Sequence, residues 1–190
     1  SYLATKRGRL AEAERLIRSA IQINANYDRA YELLSNILYE QKRYNEVMDL
    51  CDYRISRNRN LTGAWYLKGL SQKRLGDSGG AITTFSAGLL IDPYDEVMRF
   101  ALEQLARATL DVEDSRRNKW ASFHIGKARE FKRNFDGPSE RYEYQKALSV
   151  DPLNTTARQA FADMLDRDGF YELYLQQLKF IKANETTTTT

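Results

Sequence analysis

Residues 62–95 read TGAWYLKGLSQKRLGDSGGAITTFSAGLLIDPYD, and this stretch decides the fold. It holds two runs of helix-favouring residues separated by a glycine-rich turn. Small side chains in it let two helices approach closely, large ones fill the space beside them, and a proline ends the second helix. The stretch therefore predicts one pair of packed helices. The positions that carry this pattern are Trp65, Gly69, Ala81, Phe85 and Pro93.

The length of this stretch recurs as a spacing along the chain, and we call that spacing the repeat step. One repeat step leads from Ala13 to Val47 and the next from Val47 to Ala81, and all three residues are small or β-branched. Further along, Ala147 and Pro152 match the second half of a pair. Because a fixed period of about 20 to 50 residues is the signature of stacked repeats, the sequence predicts an array of helix pairs.

These offsets resemble the pattern of the tetratricopeptide repeat (TPR) family, with a departure at Lys68, where the family usually has leucine. The resemblance covers about residues 4–95 and 121–184. It implies an all-α fold, a right-handed α-solenoid of antiparallel helix pairs with one irregular insert. It also implies a scaffold or adaptor that binds a protein or peptide. The predicted helices lie near 2–7, 10–24, 28–41, 44–57, 62–75, 78–91, 95–110, 115–133, 138–149, 155–167 and 170–183.

The repeat is interrupted once. Pro93 and Pro152 are farther apart than one repeat step and closer together than two. Three helices are expected between them, where two full repeats would give four. We expect a single solenoid domain over 1–185 and a low-complexity tail at 186–190 that is disordered or appended. Its repeats are expected at about 1–27 (partial), 28–61, 62–95, 121–154 and 155–185, with an irregular helix at 96–120.

Composition argues against several classes of protein. Hydrophobic residues make up 42% and charged residues 29% of the 190, so a packed core is expected. With Cys51 as the only cysteine and His124 as the only histidine, neither an intrachain disulfide nor a zinc site is expected, and no cofactor is implied. No nucleophile, base and orienting group can be assembled around His124, so we expect no enzyme activity.

The resemblance also indicates where a partner would bind. In TPR proteins, exposed side chains of the first helix of each pair line a concave groove. Tyrosine and leucine side chains there would give apolar contact, and basic ones would suit an acidic peptide. The alternative is that the tyrosines pack against neighbouring helices and the basic residues form a solvated face. The candidate groove residues are Asn36, Tyr39, Tyr66, Leu70, Lys73, Arg74, Arg129, Lys132 and Asp163.

A basic stretch offers a different function. Residues 116–133 contain seven basic side chains and one acidic one, a net charge of +6 in a chain of net charge +3. Trp120 and Phe123 lie among them and could stack on bases. Nucleic-acid binding through this helix is therefore the alternative hypothesis.

The two ends of the chain carry further expectations. Residues 170–181 are apolar on more than one side and lack the polar cap that solenoids need, which suggests self-association or a parent protein that continues. The chain begins without methionine and in a helical pattern, so we expect a fragment of a longer bacterial protein. Its arginine-rich repeats are loosely similar to large TPR proteins of spirochaetes. No run is long enough to span a membrane, and we expect a soluble protein, cytoplasmic or periplasmic according to the sequence before Ser1.

Overall fold

The structure is a computed structural model that describes the backbone of residues 2–187 and the side chains of residues 8–184. The described residues form ten α-helices and contain no strand, which confirms the predicted all-α fold. All three helices expected between the two distant prolines are present. The helices are α1 (Tyr2–Ile23), α2 (Asp28–Glu40), α3 (Tyr44–Arg57), α4 (Thr62–Arg74), α5 (Ser78–Ile91), α6 (Glu96–Thr109), α7 (Arg116–Arg133), α8 (Gly137–Val150), α9 (Thr155–Arg167) and α10 (Tyr171–Thr187).

The chain divides into two compact units. Unit 1 runs to Leu105 and contains α1 to α5 with most of α6, and unit 2 begins at Ala106 and contains α7 to α10. The division falls inside α6, within the segment where the repeat step breaks in the sequence. The expected domain boundaries treat both units as one solenoid.

The turns inside four helix pairs share one backbone conformation. Lys42 and Gly76, which are one repeat step apart, have φ values of 63° and 85°. Phe135 and Gly169, separated by the same step, have φ values of 57° and 78°. In each turn the amide of the next residue donates to the carbonyl five residues earlier at 2.8–3.0 Å, which is the Schellman arrangement that ends a helix. The glycine-rich segment after α4 is therefore a turn between helices, as the repeat pattern predicts.

In unit 1 a close approach joins α4 to α5. A Cβ atom added to Gly69 would overlap the ring of Phe85, so only glycine fits there. Phe85 and Ala81 are fully buried, and α5 ends two residues before Pro93. Ala13 is half-buried on α1. Gly69, Ala81 and Phe85 thus pack where α4 and α5 meet.

A second recurring contact fixes the start of four helices, which we call the A helices. The fourth residue of each donates a side-chain hydrogen bond to the carbonyl six residues earlier, in the turn before the helix. In unit 1 these donors are Tyr31 (3.1 Å), Trp65 (2.9 Å) and Arg99 (2.7 Å), each one repeat step after the last. In unit 2 Arg158 makes the same contact at 2.6 Å. The contact identifies α2, α4, α6 and α9 as A helices.

Unit 2 has its core between α7, α8 and α9. Ala128 of α7 packs with Tyr144 of α8 and Phe161 of α9, and all three are buried. Ala147 is also fully buried, against Ala121 and α9, and α8 ends at Val150, two residues before Pro152. Helix α7 has 18 residues where α9 has 13, so it is longer than the A helix that follows it.

Two expectations about the ends are wrong. The chain from Tyr2 to Ile23 is one continuous helix, although separate helices are predicted at 2–7 and 10–24. This helix contains one glycine, Gly8, and a Cβ atom there would meet nothing within 4 Å. One glycine weakens a helix without ending it. At the other end, α10 extends to Thr187, so the first two residues of the predicted tail are helical. Residues 188–190 of that tail lie outside the described residues.

Candidate functional site

The predicted groove residues of unit 1 lie on α2 and α4. Asn36, Lys73 and Arg74 are exposed, whereas Tyr39, Tyr66 and Leu70 are half-buried. These side chains occupy successive turns of two A helices that contact each other. The exposed sides of these helices therefore present aromatic, apolar and basic groups together.

The contacts of the two tyrosines show which part of each ring is used within the fold. Tyr39 packs edge-on against Tyr44 with ring centroids 5.3 Å apart, and Tyr66 packs against Phe85 at 6.0 Å. The hydroxyl of Tyr39 accepts a hydrogen bond from Nε of Arg74 at 3.2 Å, which links α2 to α4. One side of each ring is therefore used in packing, and the remaining surface is held in a fixed orientation.

Helix α6 carries side chains that the sequence argument missed. Because Arg99 is in register with Trp65, the residues equivalent to Gly63 and Tyr66 are Val97 and Phe100. These two are 61% and 65% exposed. The repeat step from Trp65 leads to position 99 and could have revealed this equivalence. Position 99 holds arginine and not an aromatic residue, so the match was not recognised. We call the exposed sides of α2, α4 and α6 in unit 1 the A-face; its residues are Asn36, Tyr39, Tyr66, Leu70, Lys73, Arg74, Val97 and Phe100.

The remaining predicted groove residues form a separate set in unit 2. Arg129 and Lys132 are exposed on α7, and Asp163 is exposed on α9, where Gln159 donates to its carboxylate at 2.8 Å. Asp163 also lines an open cleft of about 830 Å³ between α9 and α10. Phe180 of α10 lines the same cleft. This part of unit 2 could accept an apolar group beside a carboxylate.

The basic helix α7 presents only part of the surface that nucleic-acid binding was expected to use. Trp120 is only 6% exposed, so its ring is not available to stack on a base. Arg117 is 4% exposed and donates to four backbone carbonyls. Arg116 is bound to the carboxylate of Asp114 at 2.7 Å. Two of the seven cations and one of the two aromatic rings are therefore used within the fold.

The groups that could support catalysis are buried. Nδ1 of His124 lies 2.6 Å from Oε2 of Glu143, and both side chains are less than one tenth exposed. Burial raises the pKa of Glu143, but the hydrogen bond and charge of His124, helped by Lys146, outweigh it and leave the pKa lowered. Cys51 is fully buried, and burial raises the pKa of its thiol to about 12. Among the side chains that the structure describes, no cluster of His, Cys, Asp and Glu could hold a metal ion.

Comparison with known proteins agrees with the fold described above. Residues 62–95 match the tetratricopeptide repeat family, the same stretch that carries the pattern described above. The fold of the chain is that of tetratricopeptide-repeat proteins. None of the described helices is both long and apolar enough to cross a membrane.

Two solved structures show this likeness. A tetratricopeptide repeat protein from Parabacteroides merdae ATCC 43184 is 14% identical, with 96% of this chain and 76% of that chain covered at a TM-score of 0.52. The crystal structure of MamA is 11% identical, with 98% and 95% covered at a TM-score of 0.50. At this identity the likeness is one of fold. No curated protein sequence matches the chain.

Proposed function

We propose that this chain is a non-enzymatic scaffold that binds a protein or peptide on the A-face of unit 1. The observation that carries the proposal is the fixed pair of half-exposed tyrosines beside an exposed cation. Tyr39 is held by Arg74, and Tyr66 is held by the buried Phe85. Lys73 is exposed and makes no ion pair with any residue that the structure describes. Rigid aromatic side chains lose little entropy on binding, and such a cation favours a partner that supplies a carboxylate.

Reversing the charge of Lys73 tests this proposal. We expect capture experiments with extract of the source organism to recover a protein on the unchanged chain and to lose it with Lys73→Glu. Arg59→Glu is the matched control, because Arg59 is also exposed but lies in the turn before α4. Equal recovery by both variants, or no protein enriched by the unchanged chain, would contradict the proposal.

The exposed apolar side chains of α10 in unit 2 support a second, separate proposal of self-association. Apolar side chains of α10 are exposed, among them Tyr171 at 64% and Leu175 at 53%. A second copy of the chain would cover this helix. Light scattering across a concentration series should then give a mass above that of the monomer, and Leu175→Ser should lower it. A monomer at every concentration would refute this proposal and leave the first untouched.

A further inference from the structure

Helix α6 has two opposite faces in unit 1. Met98 and Leu102 are fully buried, and the sulfur of Met98 would overlap a Cβ atom built on Gly88. The Cβ atom of Trp65 lies 3.0 Å from the same point, so α4 and α6 both pack on α5 at Gly88. The other face of α6 carries Val97 and Phe100. These two side chains are three residues apart, so they are neighbours on one side of the helix.

This pair differs from ordinary surface apolar residues in its position. Single exposed apolar side chains are common and need no explanation. Val97 and Phe100, however, occupy the same repeat positions as Gly63 and Tyr66 on the preceding A helix. A Cβ atom at Gly63 would meet nothing within 4 Å. Helix α4 therefore leaves open space at the repeat position that Val97 occupies on α6. The apolar part of the A-face therefore spans two A helices.

The charge of the A-face is positive at one end. Lys73 and Arg74 lie in the last turn of α4, while Arg29 is neutralised by Glu32 at 2.7 Å. Tyr66 and Lys73 are seven residues apart on one helix, which is about 10 Å along its axis. An extended peptide covers that distance in about three residues and a helical one in about seven.

We propose that the A-face binds a protein segment with one large apolar side chain and one acidic side chain about 10 Å apart. The apolar side chain lies between Tyr66 and Phe100, which occupy equivalent repeat positions on α4 and α6, and the carboxylate binds Lys73, about 10 Å from Tyr66 along α4. This inference rests on the proposed function and adds the chemistry of the partner. The positive end of the A-face complements the acidic group, and the exposed apolar pair supplies the central anchor that peptide interfaces need.

Selection from a random peptide library displayed on phage tests the inference. Peptides enriched on the unchanged chain should share a large apolar residue with an aspartate or glutamate at the expected separation. Phe100→Ser and Lys73→Glu should each weaken the strongest peptide about tenfold or more. Leu90→Ser is the matched control and should leave binding unchanged, because Leu90 is 71% exposed on α5, the second helix of its pair. Circular dichroism should show all three variants folded.

Several results would overturn the inference. Enriched peptides that bind Phe100→Ser as tightly as the unchanged chain would show binding elsewhere, so the scaffold function would survive and the inference would fail. Enriched peptides that lack acidic residues would contradict the proposal that Lys73 binds a carboxylate. A dimer of the unchanged chain that Phe100→Ser converts to monomers would make a second copy the occupant. If no peptide is enriched, the inference fails, and the proposed function fails with it only if capture from extract also recovers nothing.

Discussion

Replacing Arg117 by methionine should destabilise unit 2 by about 3–5 kcal/mol. The guanidinium donates to the carbonyls of Asp111 (2.7 Å), Leu110 (2.7 Å), Val150 (2.8 Å) and Ala106 (3.2 Å). These carbonyls lie at and just beyond the ends of α6 and α8, where helix dipoles favour a positive charge. A hydrogen bond to a charged group contributes about 1.5–3 kcal/mol, and the four bonds are not additive. Methionine fills a similar volume and donates to none of them.

Equilibrium urea unfolding followed by circular dichroism measures this loss. Arg117→Lys should be intermediate, because an ammonium group is a compact donor and cannot reach all four carbonyls at once. Arg116→Met is the control, since Arg116 is an exposed neighbour whose ion pair with Asp114 contributes little. A loss below about 1 kcal/mol for Arg117→Met, or an equal loss for Arg116→Met, would refute the structural role given to Arg117.

Other predictions follow from single contacts. In urea unfolding, Gly69→Val should lower the free energy of unfolding by about 3 kcal/mol or more, because the ring of Phe85 occupies the space. Gly63→Ala should raise it by about 0.5–1 kcal/mol, because nothing lies where its Cβ atom would be. Equal effects of the two substitutions would refute the packing argument. Cys51 should react with iodoacetamide at pH 8 at least about a hundredfold more slowly in the native chain than in urea, and rapid native alkylation would contradict its burial. The pKa of Glu143 is lowered in the folded state, so its ionised carboxylate stabilises the fold at pH values above its unfolded-state pKa. This stabilisation disappears as the pH falls through the folded-state pKa. Acidification should therefore cost the unchanged chain more stability than Glu143→Gln, and parallel pH curves would refute this.

The sequence predicted the repeat well because its packing residues are of distinctive types. Trp65 and Phe85 are large aromatic residues, Gly69 has no side chain, and their spacing matches the repeat pattern. The same logic failed at α6, where arginine at position 99 replaces the aromatic donor but makes the same contact to the carbonyl six residues earlier. Helix α6 was expected to be irregular because Pro93 and Pro152 are not a whole number of repeat steps apart, and its exposed Phe100 was not recognised as part of the A-face.

Two other features could not be predicted from residue types. Lys42 and Phe135 occupy turn positions with positive φ, where glycine is the residue that sequence rules expect. Arg117 belongs to a basic stretch that is typical of a solvated helix, yet it is buried among carbonyls. One of these carbonyls belongs to Val150, which is distant in sequence, and no local pattern specifies that contact.

Site-specific photo-crosslinking tests the central claim most directly. A photoreactive phenylalanine analogue would replace Tyr66 on the A-face in one protein and Leu90 on α5 in another, and both would be illuminated in extract of the source organism. The account predicts a discrete protein adduct from position 66 and none from position 90. An adduct from position 90 alone, or equal adducts from both positions, would contradict binding on the A-face.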